Sequence, residues 1–462
     1  MLPRASRVER QAICFHARRA LNVRRSTGVL KGTVIMQSIP AKSSSKAFSK
    51  KVLVTSLIAL IMCSNLALTS DSARRRSESD ATVKVVDDRL RAATSRFAFK
   101  LYDQIIKQRP GKNTFVSPAS VMLALAMTYN GADGTTRQAM ARALELESMS
   151  VEDVNRAFAD LKTALNPTDP KIQLRIANSL WARNGFALKP AFVKRNKDYY
   201  EAEIASLNFA DPAAPKTINS WVNRNTEGKI EKIIDQISPD AVLFLINAIY
   251  FKGQWQFEFK KENTKPDVFR LPGGERKEVP MMSQSSSSYF YYKGKDFQSV
   301  ALPYGEGSVS MYVFLPDEQT SLDQFERNLT PENWDTWMKS FQPTPGDLML
   351  PRFKVEWQST LNDALKASGM AEAFDPLRAD FSQIAEQNAG KLYISEVRHK
   401  SWAEVNEEGT VAAAATSVGV FTTSVQVPRE KFVMKVDRPF FFAIRDNRTE
   451  VVLFMGSVAN PG

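Results

Sequence analysis

Residues 241–251 read AVLFLINAIYF, a run that is apolar throughout except for Asn247. A strand with one wet face alternates apolar and polar residues; a run with no wet face fits a strand covered on both sides. The chain must therefore build a sheet with further layers packed on each face. Its 462 residues, 43% hydrophobic and 24% charged, suffice for one large core.

Flanking patterns supply those layers. Leu90, Ala93, Phe97, Leu101 and Ile105 recur at spacings of three and four, which predicts an amphipathic helix ending before Pro110. Ser117-Pro118, a cap followed by proline in the first turn, predicts a second helix running through Val121 to Met127. Strand alternation appears at Leu174, Ile176, Asn178 and Leu180, again at Val309, Met311, Val313 and Leu315, and over residues 392–402. Residues 440–444 and 451–458 are apolar runs joined by Asp446-Asn447-Arg448, a hairpin signal. Ser285 to Ser288 reads as a loop, and so does Gly131 to Thr136, which follows a helix. Helices come early and strands late, without βαβ alternation or internal repeats, so the fold class is α+β. No linker interrupts residues 83–462, which are expected to form a single domain.

The net charge of +12 is concentrated at the N-terminus. Fifteen Lys and Arg stand against Glu9 and Asp71 before residue 77, leaving the remainder close to neutral, so nucleic acid is not an expected partner. Lys46, Lys50 and Lys51 precede an apolar run from Val52 to Met62 and then smaller, more polar residues, the layout of a secretory signal. That run is too short for a membrane-spanning helix. Lipid attachment at Cys63 is disfavoured by Met62, where a small residue is needed. Residues 1–35 read as an extension or as untranslated, with translation starting at Met36. Residues 36–72 form the signal region, and 73–82 a disordered leader. A secreted, extracellular or periplasmic protein is expected.

Removing the leader also removes Cys14, Cys63 and His16, and leaves His399 as the sole histidine. A disulfide scaffold, a cysteine nucleophile and a multi-histidine metal site are then excluded, and no metal or cofactor is expected. A Ser-His-Asp hydrolase would depend on His399 alone. Phosphate-binding glycine motifs and a G-x-S-x-G elbow are absent, so an enzyme is not expected.

Beyond residue 402 the chain stops reading as an ordinary core. Gly409, Thr410, Val411, Ala412, Ala413, Ala414, Ala415 and Thr416 are almost all small, and residues 418–427 are moderately apolar. Small residues are poor strand formers by propensity, yet Thr410, Ala412, Ala414 and Thr416 would fit beneath neighbouring elements if the segment extended a strand.

Asn406-Glu407-Glu408-Gly409-Thr410 with its alanine run resembles the hinge of the serpins. Residues 436–444 (VDRPFFFAI) with Leu453-Phe454-Met455-Gly456 resemble their C-terminal signature, residues 113–120 (NTFVSPAS) the start of their second helix, and residues 247–255 (NAIYFKGQW) their central strand. The resemblance covers residues 83–462 in the expected order. It implies three β-sheets, eight or nine helices, a metastable native state and an exposed reactive-centre loop. It also implies inhibition of a serine protease, which cleaves the loop and is trapped as an acyl-enzyme when the hinge side inserts into the main sheet. Gly409 to Thr416 would be the hinge, and Ser117, Ser120, Asn247 and His399 the shutter beneath the point where the sheet parts. Family spacing places the reactive bond at Thr423-Ser424, with Phe421 and Val425 as alternatives; an elastase-, subtilisin- or chymotrypsin-like target and a monomeric inhibitor follow. A non-inhibitory carrier or chaperone is the rival reading, which the all-small hinge disfavours.

Overall fold

The computed structural model describes residues 86–238, 240–386, 390–410 and 430–462. The chain divides into two units, 1–80 and 81–462, and all described residues belong to the second. Its order is α1 (Asp88–Gln108), β1 (Thr114–Val116), α2 (Pro118–Tyr129), α3 (Gly134–Ala143), α4 (Val151–Leu165), β2 (Ile172–Arg183), α5 (Pro190–Tyr200), β3 (Glu203–Leu207), α6 (Ala214–Asn225) and β4 (Leu243–Gln254). There follow β5 (Lys265–Arg270), β6 (Arg276–Lys293), β7 (Phe297–Tyr304), β8 (Val309–Pro316), α7 (Leu322–Glu326), α8 (Pro331–Met338), β9 (Gln342–Pro351), β10 (Phe353–Thr360) and α9 (Asn362–Leu365). The last elements are β11 (Glu396–Asn406), β12 (Gly409–Thr410), β13 (Phe432–Lys435), β14 (Phe440–Asp446) and β15 (Val452–Val458). This is the expected α+β architecture. No helix among the described residues is long and apolar enough to cross a membrane.

Hydrogen bonding joins the described strands into two ladders rather than three sheets. One has nine strands, ordered β1-β15-β14-β8-β7-β6-β9-β13 with β5 on β6; the other has six, ordered β10-β11-β12-β4-β2-β3. The two-ladder count arises because β6 is long enough to pair with β5, β7 and β9 along its length. Ser285 to Ser288 lies within β6, not in a loop: Ser285 and Ser286 pair with Asp347 and Gly346, and the register shifts between Ser286 and Tyr289. The serine run marks an irregularity in a strand that β9 pairs on one side of the run, with β5 and β7 pairing β6 before and after it. The expected strand over 392–402 begins only at Glu396 and continues to Asn406. Leu392 and Ile394 are buried as their alternation suggested, but the amides of Ile394 and Ser395 donate to Ala373 and Leu243 outside the ladder. The predicted loop at Gly131 to Thr136 ends at Asp133, whose side chain caps α3 at Gly134.

Both faces of β4 are covered. Phe244, Ile246 and Ala248 pack with Ile218, Trp221 and Val222 of α6, while Leu243, Leu245, Ile249 and Phe251 join the main core. Alternation therefore turns Asn247 towards the main core, where α2 lies. Every residue of α2 is buried, so its hydroxyls must find partners inside the protein.

Candidate functional site: the shutter and the hinge of the six-stranded sheet

The centre of the site is the parallel contact between β4 and β11, where seven residue pairs run from Phe244/Glu396 to Tyr250/Trp402. Asn247 and His399 are directly opposed in that register. His399 Nδ1 meets Asn247 Oδ1 at 2.5 Å, and the Ser117 amide donates to His399 Nε2 at 3.2 Å. An oxygen acceptor at one nitrogen and an N–H donor at the other define a neutral ring carrying its proton on Nδ1. Burial pushes the His399 pKa down to about 3, since a second proton would be desolvated and would face the Ser117 N–H.

Asn247 Nδ2 donates to the Ser120 carbonyl at 3.1 Å, to the Ser120 hydroxyl, and to Asn178 Oδ1. Ser117 caps α2 by accepting from the Ser120 amide at 3.3 Å, and its own hydroxyl donates to the Leu453 carbonyl at 2.6 Å. Ser117, Ser120, Asn247 and His399 are thus brought together as the sequence suggested. Asn178 completes the cluster and was read only as part of a strand. His399 has no accessible face and both ring nitrogens are engaged, an arrangement unsuited to a catalytic base.

Where β4 and β11 diverge, Gly409 and Thr410 stand between them. Thr410 is antiparallel to Gly253 on one side and to Val405 on the other, and it is fully buried. Its hydroxyl lies 2.7 Å from that of Tyr304, itself fully buried. Burial raises the Tyr304 pKa, so the phenol stays protonated. The Tyr304 ring stacks on Trp255 with centroids 4.4 Å apart and meets Phe251 edge-on at 5.1 Å. Glycine is required at Gly409, where φ is +149° and an added Cβ would stand 2.0 Å from the Gly253 carbonyl oxygen.

The turn leading into β12 is fastened on every side. Asn406 Oδ1 accepts from the amides of Glu408 and Gly409, at 3.0 and 3.2 Å. The amides of Trp255 and Phe259 donate to the carbonyls of Glu408 and Glu407, each at 2.9 Å. Arg352 binds the Glu407 carboxylate through Nε and Nη2, Thr264 donates to the same carboxylate, and Lys261 pairs with Glu408 at 2.7 Å. Burial alone would raise the Glu407 pKa, but the bonds from Arg352 and Thr264 outweigh it and hold the carboxyl below its ordinary range.

The other predicted site residues lie outside the described residues: Val411, Ala412, Ala413, Ala414, Ala415 and Thr416 of the hinge, and Phe421, Thr423, Ser424 and Val425 around the reactive bond. Tyr304, Trp255 and Arg352 were not singled out from sequence. A signal existed for the first two in Gly253, a glycine inside a strand that marks close approach of another group. None existed for Arg352, whose partner is 55 residues away. Among the described residues no group of three His, Cys, Asp or Glu is placed to hold a metal ion.

The family model for serpins, described as serine protease inhibitors, matches residues 92–461. Leukocyte elastase inhibitor of Sus scrofa is 37% identical over 81% of this chain and all of its own length. Glia-derived nexin of Mus musculus is 35% identical over 79% of this chain and 92% of its own. The structure of tengpin, a thermophilic serpin, in its native state superposes with a TM-score of 0.76 and 36% identity, covering 82% of this chain and 95% of that one.

Proposed function

The chain belongs to the serpin family, and from that premise we propose that it inhibits a serine protease as a suicide substrate. The protease serine attacks the reactive bond and forms an acyl-enzyme. The freed hinge side then joins the six-stranded sheet between β4 and β11, by the strand addition serpins are known to use. The tethered protease is carried away and distorted before water can release it.

The observation that carries this reading is the position of Thr410, already seated between the two strands that would have to part. A strand continuing its register would turn Ala412, Ala414 and Thr416 to the same buried side as Thr410 and leave Val411, Ala413 and Ala415 outward. It would bring Thr416 opposite both Asn247 and His399, because those two residues share one register. A hydroxyl would then meet the polar groups whose mutual contact the insertion breaks. Seven parallel pairs between β4 and β11 would be exchanged for two antiparallel ladders, the slightly more stable pairing. Metastability of the native form follows, with the reactive bond at Thr423-Ser424 or at the neighbouring Phe421 or Val425.

Small residues around that bond suit an elastase- or subtilisin-like pocket, and Phe421 a chymotrypsin-like one. The basic flank and apolar run of residues 46–62 support secretion of a monomeric inhibitor.

The test is incubation of residues 83–462 with elastase, chymotrypsin, trypsin and subtilisin, followed by denaturing electrophoresis and sequencing of the released C-terminal peptide. A covalent complex resistant to detergent is expected, and the first residue of the peptide identifies the bond. Cleavage without complex across a wider protease panel would refute the proposal. Thr410→Arg, which puts a charge in the buried seat, should convert the protein to a substrate; undiminished complex yield would mean that insertion is not the trap.

A further inference from the structure

Tyr304 sits on β7 in the other ladder, yet it supplies the polar partner of Thr410, the one hinge side chain among the described residues that is seated in the six-stranded sheet. Thr410 and Tyr304 are each fully buried, so each hydroxyl depends on the other. The phenol cannot swing away from Thr410, because its ring is held by Trp255 and Phe251 and lies against Gly253. Trp255 is itself tied to the hinge turn: its indole N–H donates to the Asn406 carbonyl at 2.9 Å, and its amide to Glu408.

We propose that Tyr304 is a positioning residue for inhibition: its phenol keeps Thr410 seated between β4 and β11 before any protease arrives, so that insertion begins from a strand already started. The role rests on the suicide-substrate reading. Starting a new strand orders backbone before cross-strand bonds compensate, which makes the first step the slow one. A seated Thr410 has that step behind it. Once the loop is acylated, insertion competes with hydrolysis, and a faster start favours trapping over turnover.

A double-mutant cycle with Tyr304→Phe and Thr410→Val separates this role from ordinary packing. Either single change leaves one buried hydroxyl without a partner, whereas the pair removes both and leaves apolar groups of nearly the same shape. Two readouts are taken on residues 83–462. Hydrogen exchange across residues 406–410 follows seating without any protease; each single variant should exchange about tenfold faster there than the wild type, and the double variant close to the wild-type rate. The stoichiometry of inhibition with the protease that forms the complex should rise about threefold or more in each single variant and return in the double, while the rate of initial loop cleavage stays unchanged.

Additive effects in the double variant, or a Tyr304→Phe protein that exchanges like the wild type, would show that the phenol does not hold the hinge. Restored exchange with an unaltered stoichiometry in all variants would show that seating occurs but does not govern trapping. If the wild type traps no protease, the suicide-substrate reading fails and the positioning role fails with it, while the exchange cycle still decides whether Tyr304 seats Thr410.

Discussion

Two buried groups pull the stability of this fold in opposite directions on acidification, and replacing one should uncover the other. Glu326 of α7 is almost fully buried against α1 and β15, accepts from the Tyr102 hydroxyl at 2.8 Å and is also bonded to Ser457; burial, aided by nearby Asp323, pushes its pKa up to about 7. A carboxyl raised above its ordinary 4.5 contributes stability that is present below that value and lost as pH rises through about 7. His399, lowered to about 3 from 6.5, contributes stability that is present above 6.5 and lost as pH falls. Each linked proton is worth about 1.4 kcal/mol per pH unit. From about pH 6.5 to about pH 5, His399 costs the fold about 1.6 kcal/mol and Glu326 returns about 1.7 kcal/mol, so the wild-type curve should be nearly flat. Glu326→Gln keeps a carbonyl for Tyr102 and removes the titration. The variant should lose about 1.6 kcal/mol over that interval, and its stability difference from the wild type should shift by about 2.5 kcal/mol between about pH 8 and about pH 5. Urea midpoints read by fluorescence at half-unit pH steps would register that as roughly 1 M. Parallel curves for the two proteins would refute the argument, because they would mean that the Glu326 carboxyl does not change its protonation on unfolding in this range.

Three further outcomes follow from the hinge and its fastening. Gly409→Ala places a methyl against the Gly253 carbonyl, so Thr410 should leave its seat; faster hydrogen exchange across residues 406–410 checks this, and wild-type protection would contradict it. Arg352→Ala leaves the buried Glu407 carboxylate without its guanidinium partner, which should cost roughly 2 kcal/mol at neutral pH, and Arg352→Lys should recover only part because it cannot form the same fork. That loss should shrink as the medium is acidified towards the Glu407 pKa, measured by the urea midpoint. Asn247→Ala removes the partner of the Ser120 hydroxyl, of Asn178 Oδ1 and of His399 Nδ1 at once, and should lower the thermal midpoint by more than any of the hinge variants.

What could be read from the sequence, and what could not, divides by the distance over which a residue's role is set. The apolar run of β4 announced a strand covered on both faces because that demand is local to each side chain, and Asn247 stood out within it. Ser117 was legible as a helix cap because the cap and the amide that donates to it are three residues apart. The shutter became visible only through family resemblance, since nothing local connects Ser117 with His399, 282 residues further on. Tyr304 and Arg352 went unread for the same reason: an ordinary tyrosine at a strand end and an arginine after a proline acquire their roles from Thr410 and Glu407, across 106 and 55 residues. The serine run in β6 misled in the opposite sense. Its composition is that of a loop, but β9 continues to pair with it, and the tertiary ladder overrides local preference at the cost of a register shift. The small-residue run is the instructive case, because its poor strand propensity follows from the same property that suits it to the seat. Under the proposed mechanism, side chains too small to hold a strand by themselves are the ones that would enter between β4 and β11 where Thr410 already fits, and Gly409 is small enough to let two backbones touch at the entrance.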